Sequence, residues 1–545
     1  MAENHAARLC EQIIRSDFGP LTGTVASVLL ARGRLSLPHV IRYSGLKART
    51  VRAAILILVQ HNVLWHAPSD EEGEMLEMNM EECLYRVRYG QYVWQAEELY
   101  GKAGADIVQL ILDHGKLRPP DIMNQLTKQA SVKDPSVYAQ ALHKLVEGSY
   151  LKPSTLLSHV SPLDKRIKYE AEEKAKISGF PTAKQLREAK ELAEARLKRE
   201  EEEAEKIGMK RKAKDQGKHK PSKRGKLMDE DVVDDEVHFR VNCEKFNIHI
   251  RNKIIENTAR ERYNEYAGLV MRAALKATEV KQLYVADVRS DPTSLADISL
   301  RLGEDLSLAD GFVHSSQKKP SHMTMLKDFV GILASADNPT PVGQASSFLS
   351  LNGTKVQVEF AIIRNRLRRR VIEAVTRERF GDDAVRIVKL LLDTGKMEEK
   401  LISKVGMMAP KDVRPLLTAL SAESLVSVTE IAKSADRNPA RMFFLWYVDL
   451  QKACTVQLGN LYKTLYNIGS RRQAEQEEAG VKAVLEKRQR SDVSQDEERF
   501  LTRNEREILA AWEKKREKLT VLEMRTEEAV FILRDFGSIL AIDDE

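Results

Sequence analysis

Residues 29–64, LLARGRLSLPHVIRYSGLKARTVRAAILILVQHNVL, decide the fold of this chain. A first helix ends at Gly33, a residue suited to a left-handed helix cap, and a short amphipathic segment leads to the turn at Ser44-Gly45. Apolar residues at helical spacing predict a third helix from about residue 48 to residue 61. A strand-like run, Val63-Leu64-Trp65, comes directly after it. Three helices followed by a strand are typical of a helix-turn-helix unit with a β-wing.

The same pattern recurs further along the chain. Residues 112–126, LDHGKLRPPDIMNQL, and residues 392–406, LDTGKMEEKLISKVG, place Gly115 and Gly395 at the position of Gly33. Seven residues after each glycine lies a β-branched apolar residue, Val40, Ile122 or Ile402. Residues 33–64 match residues 395–426 without a gap, whereas the second copy needs about five extra residues. The chain therefore repeats a winged-helix-like unit.

We predict a mainly α fold with small β-wings: four tandem winged-helix domains followed by a C-terminal antiparallel coiled-coil hairpin. The third domain lacks the glycine anchor and is inferred from helices that precede a hairpin signal at Asn352-Gly353. Apolar stripes in two long helical stretches, separated by a polar segment, predict the hairpin. The predicted boundaries are 1–92, 93–163, 237–360 and 361–449 for the four winged helices, and 450–545 for the hairpin and acidic tail.

Residues 164–236 separate the second and third domains and are rich in charge, so we expect a charged linker, predicted to be disordered or an exposed helix. Two basic clusters lie between residues 206 and 226, and the first contains Lys210, Arg211 and Lys212. They resemble a bipartite nuclear localisation signal and are candidates for nucleic-acid contact. The alternative is a solvated linker.

Composition excludes several classes of function. The 545 residues are 31% charged with a net charge of +6, and no apolar run is long enough to span a membrane. The four cysteines lie far apart without a CxxC pair, and no nucleotide-binding, metalloprotease or nucleophile-elbow motif is present. We expect no catalytic residue, cofactor, metal or membrane partner.

The helices that would enter a DNA groove carry few side chains able to read bases. In the first unit these are Lys47, Arg49 and Arg52, so sequence-specific recognition is not expected. The densest basic helix, residues 361–380, carries Arg364, Arg366, Arg368, Arg369 and Arg370. These arginines could neutralise phosphates without reading bases, or form ion pairs with Glu373, Glu378 or an acidic partner.

Several stretches resemble the third-largest subunit of eukaryotic RNA polymerase III, particularly its fungal members. They are CEQIIRSDFG (10–19), LKARTVRAAILILVQHNVL (46–64), RYGQYVWQAEELYGKAGADIVQLILDHGKL (88–117), RIVKLLLDTGKM (386–397) and FFLWYVDL (443–450). The resemblance covers nearly the whole chain, with the charged insertion at 164–236 as its least characteristic part.

The resemblance implies a non-enzymatic nuclear subunit of the polymerase with winged helices related to those of general transcription factor IIE. Its implied partners are two smaller subunits of a heterotrimer, the clamp of the largest subunit, transcription factor IIIB and promoter DNA. The implied role is polymerase recruitment and promoter opening during transcription of tRNA, 5S rRNA and other small RNAs. Two alternatives stay open on the residues alone: a free-standing winged-helix DNA-binding regulator, and a scaffold of another complex.

Overall fold

The computed structural model describes residues 2–69, 73–129, 135–177, 182–211, 231–302, 321–335, 347–432, 442–490, 493 and 500–537. Within these ranges the chain forms two compact units. One comprises Cys10–Phe246, and the other comprises Asn247–Glu545 together with Met1–Leu9. No helix in the described part of the chain combines the length and the apolar character needed to cross a membrane.

The first winged helix follows an N-terminal helix, Ala2–Phe18. Its three helices are Pro20–Arg32, Leu37–Ser44 and Ala48–Gln60, and its strands are Leu35–Ser36, Leu64–Ser69 and Gly73–Met78. The last strand lies in the middle of the antiparallel sheet, where Leu76 faces both Leu35 and His66. Val25, Leu29, Val40, Val51 and Leu58 fill the core at helical spacing. A short helix, Met80–Tyr85, and a 3₁₀ turn, Arg86–Arg88, close the unit.

A second glycine marks the start of the repeated unit. Gly19, Gly101 and Gly381 have φ of 86°, 72° and 82° with ψ near 180°, and each follows an aromatic residue (Phe18, Tyr100 and Phe380). This backbone region is open almost only to glycine. The helix that begins there ends fourteen residues later at the glycine already identified from the sequence. An aromatic residue followed by glycine thus marks the start of the first helix in each of these three repeats. The sequence analysis did not use this pattern.

The second winged helix is completed by residues from beyond the charged insertion. Its helices are Tyr89–His114, which bends at Gly101, Pro119–Gln129 and Pro135–Glu147. Strand Leu151–Pro153 pairs with Phe239–Val241, and Leu117 exchanges backbone hydrogen bonds of 2.8 and 3.2 Å with Phe239. The sheet therefore has the strand order of the first unit, but its central strand comes from residues 239–241. The structure differs here from the predicted domain end at residue 163.

The charged segment contains two packed helices in its described part, Pro162–Ala175 and Ala183–Lys206, after a 3₁₀ turn, Leu156–His159. A capping box of Thr182 and Gln185 starts the second helix. Ala189 and Ala193 are buried, which allows a close approach of the two helices, and Lys165 binds Glu200 at 2.7 Å. Two short strands follow, Met209–Arg211 and Asp231–Val233. Of the two alternatives predicted for this segment, disorder or an exposed helix, its described part forms helices, because buried alanines and ion pairs between the helices offset the low apolar content. Residues 178–181 and 212–230 lie outside the described residues.

The third and fourth sheets repeat the strand order of the first, with the last strand in the middle. The third region consists of helices Cys243–Arg262, Glu265–Thr278, Leu295–Leu302 and His322–Ala334, a 3₁₀ turn Glu279–Lys281, and strands Thr293–Ser294, Leu349–Asn352 and Lys355–Val358. The fourth consists of helices Phe360–Phe380, Asp382–Thr394, Glu399–Val405 and Pro410–Ala422, and strands Met397–Glu398, Ser427–Ala432 and Met442–Tyr447. The prediction of a mainly helical protein with winged-helix domains and small antiparallel sheets is confirmed.

The C-terminal region consists of helices Leu450–Glu477, Ala479–Arg488 and Arg503–Arg534. Arg472 pairs with Glu523, and Glu475 pairs with Lys515 at 2.8 Å, so the first and last of these helices run in opposite directions. Phe531 and Phe536, at the end of the last helix, belong to the same buried cluster as Phe348 of the third region.

Candidate nucleic-acid interface

Two of the five arginines that the sequence analysis selected on helix 361–380 as candidates for nucleic-acid contact are buried. Arg364 and Arg368 lie one turn apart on helix Phe360–Phe380 (the basic helix) and face the end of the last helix. Arg368 donates hydrogen bonds from Nη2 to the carbonyl oxygens of Gly537 at 2.6 Å and Leu533 at 3.2 Å. Arg364 donates from Nη1 to the carbonyl oxygen of Phe536 at 3.3 Å. The assignment of Arg364 and Arg368 to DNA contact is therefore wrong for this structure, since both are used inside the protein.

These guanidinium groups bind the carbonyl oxygens at the end of a helix, where the backbone carries a partial negative charge. Burial, reinforced by the positive charge of Arg364, lowers the pKa of Arg368 to about 10, which leaves it charged at neutral pH. Burial also lowers the pKa of Arg364. The two side chains thus fix the end of the C-terminal helix to the basic helix.

The other three arginines, Arg366, Arg369 and Arg370, line a groove of about 540 Å³. The groove lies between the basic helix and helices Cys243–Arg262 and Asp382–Thr394, and its lining residues are Thr258, Glu261, Arg262, Arg366, Leu367, Arg369, Arg370, Glu373, Lys389 and Asp393. Arg369 binds Asp393 at 2.6 Å, Arg370 binds Glu261, and Lys389 lies 3.3 Å from Glu373. Five cationic residues therefore share this groove, called here the arginine groove, with three carboxylates.

The chemistry of the arginine groove fits a phosphate backbone better than a base. Its ion pairs are partly exposed, and such pairs contribute about 0–1 kcal/mol, so a phosphate group can replace a carboxylate at small cost. Among the residues that the structure describes, no aromatic side chain lines the groove to stack on a base. Arg262 and Lys389 were missed by the sequence analysis because they lie far from the basic helix in the chain, and no local pattern connects them to it.

Arg49 and Arg52 lie on the exposed side of helix Ala48–Gln60, as does Lys47 just before it. Neither arginine has an ion pair or hydrogen bond to any residue that the structure describes. Their side chains are therefore available to a partner.

The basic cluster of the insertion is only partly described. Lys210 binds Asp234 at 2.8 Å across the pair of short strands. Arg211 belongs to the first of these strands, and Lys212 lies outside the described residues, as does the rest of the predicted localisation signal up to residue 226. Lys210 is 62% exposed, so this ion pair leaves its side chain accessible to a partner.

The described residues hold no cluster of His, Cys, Asp and Glu that could bind a metal ion. All four cysteines are buried and free. The repeated three-helix unit and the three-stranded sheet with the last strand in the middle together define a protein with several winged helices.

Comparison with known proteins gives the family. Three family models match: RNA polymerase III subunit RPC82 helix-turn-helix domain at residues 8–66, RNA polymerase III subunit RPC82 at residues 140–337, and the C-terminal winged-helix domain of POLR3C at residues 372–448. The chain belongs to the RPC82 family of RNA polymerase III subunits.

Similar proteins come from fungi and from vertebrates. The DNA-directed RNA polymerase III subunit rpc3 of Neosartorya fischeri is 25% identical, over 97% of this chain and 96% of the relative. The corresponding RPC3 proteins of Bos taurus and Danio rerio are 24% and 26% identical, with 97% of this chain covered in each case and 98% and 97% of the relatives. The similarity therefore extends over nearly the full length of proteins that are named as subunits of DNA-directed RNA polymerase III.

Proposed function

We propose that this chain is a non-catalytic subunit of DNA-directed RNA polymerase III that acts in the nucleus during initiation. In this role it forms a heterotrimer with two smaller subunits on the clamp of the largest subunit, contacts transcription factor IIIB, and assists promoter opening. The observation that carries the proposal is the full-length similarity to RPC3 subunits.

The structure supports a role in assembly in two ways. The outward sides of the third helices carry few groups that could read base edges, so the winged helices are suited to docking rather than to sequence recognition. We also propose that the four winged-helix units and the antiparallel C-terminal helices, as a coiled-coil hairpin, form the scaffold that holds the partners. The shared strand order of the three-stranded sheets supports this organisation.

The test is affinity purification of the tagged chain from nuclear extract in moderate salt, followed by mass spectrometry. Recovery of the polymerase III core with two small specific subunits is the expected result. Recovery of the chain alone, or with an unrelated complex, would contradict the proposal.

Within this function, the arginine groove is the candidate site for promoter DNA, which it would bind through the backbone without regard to sequence. The variant Arg366→Ala/Arg369→Ala/Arg370→Ala is expected to weaken binding of duplex DNA by the purified chain. It should also reduce the slope of log K against log salt by up to about 3, because each lost phosphate contact removes about 0.9. The matched control is Lys400→Ala/Lys404→Ala/Lys411→Ala, which likewise removes three positive charges, from exposed positions on two other helices of the same region. Equal effects of the two variants would mean that net charge alone, and not the groove, binds DNA.

A further inference from the structure

The part of the first winged helix that precedes its acidic wing loop differs in charge from the corresponding part of the fourth. Residues 18–69 contain six Lys and Arg residues and no Asp or Glu. The corresponding residues of the fourth winged helix, 380–431, contain seven Lys and Arg residues and eight Asp and Glu residues. The two segments align without a gap and fold into the same helices, so this difference is not a consequence of the fold.

The difference also changes the ion pairing of the third helix. Arg49 and Arg52 correspond to Lys411 and Arg414 of the fourth unit, sixteen and nineteen residues after the anchoring glycine. Arg414 is neutralised by Glu399 at 2.9 Å. The position of Glu399 is occupied by Leu37 in the first unit, and within the described residues Arg49 and Arg52 have no carboxylate partner.

The same helix face carries exposed apolar side chains. Leu56 follows Arg52 by one turn and is 70% exposed, and Ile57 is 40% exposed. The fourth unit has the polar Thr418 at the position of Leu56. A large apolar side chain in the middle of the helix is poorly suited to the base edges of a major groove, which are mostly hydrogen-bonding groups. It is well suited to an apolar side chain of a protein.

We propose that the face formed by Arg49, Arg52, Leu56 and Ile57, called here the docking face, binds an acidic amphipathic helix of a partner protein. Carboxylates of that helix pair with Arg49 and Arg52, while its apolar residues cover Leu56 and Ile57. The positive charge of residues 18–69 attracts such a segment, and the unpaired arginines give it a fixed position. This inference goes beyond the proposed polymerase role and can be tested without the polymerase.

The experiment measures fluorescence anisotropy of a labelled helical peptide with Glu and Leu on one face, titrated with the purified full-length chain. The charge-reversed variant Arg49→Glu/Arg52→Glu is expected to bind it about tenfold more weakly, since two ion pairs are replaced by repulsion. A peptide with Lys in place of Glu should then bind this variant better than it binds the wild-type chain. Leu56→Ser should weaken binding of the original peptide several-fold, because it removes apolar contact area.

The matched control is Lys411→Glu/Arg414→Glu, which makes the same change at the corresponding positions of the fourth unit. It should bind the peptide within about twofold of the wild-type affinity, a difference of less than about 0.5 kcal/mol. Equal losses in both variants would overturn the proposal, because the effect would then come from net charge. The proposal would also fail if a scrambled peptide of the same composition bound equally well, or if an unrelated DNA duplex bound the docking face more tightly and Leu56→Ser left that binding unchanged. All of these residues are exposed, so circular dichroism should show unchanged folding in each variant.

Discussion

Replacement of Arg368 by methionine tests whether the buried arginines hold the C-terminal helix in place. Arg368→Met keeps a long side chain but removes the hydrogen bonds to the carbonyl oxygens of Gly537 and Leu533. Hydrogen bonds from a charged group contribute about 1.5–3 kcal/mol each. The substitution also removes the cost of burying the charge, which the lowering of the Arg368 pKa to about 10 puts at about 3 kcal/mol.

Loss of the hydrogen bonds destabilises the variant, whereas removal of the buried charge stabilises it. The carbonyl oxygens that lose their donor add a further destabilising contribution. We therefore expect a net loss of about 2 kcal/mol, less than the 3–5 kcal/mol usual for breaking a buried pair. Because a chain of several domains need not unfold in one step, a local measurement is preferable to a single unfolding curve. Hydrogen exchange of amides 528–537, followed by mass spectrometry, reports on the end of the last helix directly.

Faster exchange in this segment is expected for Arg368→Met. The control is Arg369→Met on the same helix, whose ion pair with Asp393 is exposed and contributes less than about 1 kcal/mol. Unchanged exchange at residues 528–537 in Arg368→Met, or an equal increase in Arg369→Met, would refute the reasoning.

Two further predictions concern the pH dependence of stability and the glycine at the start of the fourth unit. Burial, reinforced by Arg86 for His61 and by Lys116 for His159, lowers the pKa of each of these histidines to about 4. The unfolded chain therefore binds these protons near pH 6.5 and the folded chain only near pH 4, so stability should fall as the pH drops through this range. Between pH 7 and pH 4.5 the thermal unfolding temperature should fall less in His61→Gln than in the wild-type chain. If the unfolding temperatures of both proteins fell in parallel, His61 would be excluded as a cause of the pH dependence. Gly381→Ala should destabilise the fourth unit by about 1–2 kcal/mol, because φ is 82° there although no atom is close enough to clash. The control is Gly331→Ala, at an exposed helix position with ordinary φ, and it should stabilise the protein by up to about 1 kcal/mol. A loss of stability in both variants would point to a cause other than the backbone angle.

Two features of the chain could be located only from the tertiary structure: the central strand of the second wing and the two buried arginines of the basic helix. The central strand of the second wing, residues 239–241, pairs with residues 151–153 across the whole charged insertion. Pairing of strands depends on contacts between distant residues, which no local pattern encodes. In the same way, Arg364 and Arg368 look like exposed cations in a basic run, and only the position of another helix end makes them internal ligands of carbonyl oxygens.

The sequence by itself determined the repeated unit. Gly33, Gly115 and Gly395 could be recognised because a helix end with positive φ restricts the residue at that position, whatever surrounds it. Helical spacing of apolar residues likewise predicted the buried side of the third helix in the first unit, as Val51 and Leu58 show. The arginine groove could be identified only from the tertiary structure, because its cations come from three helices that become adjacent only after folding.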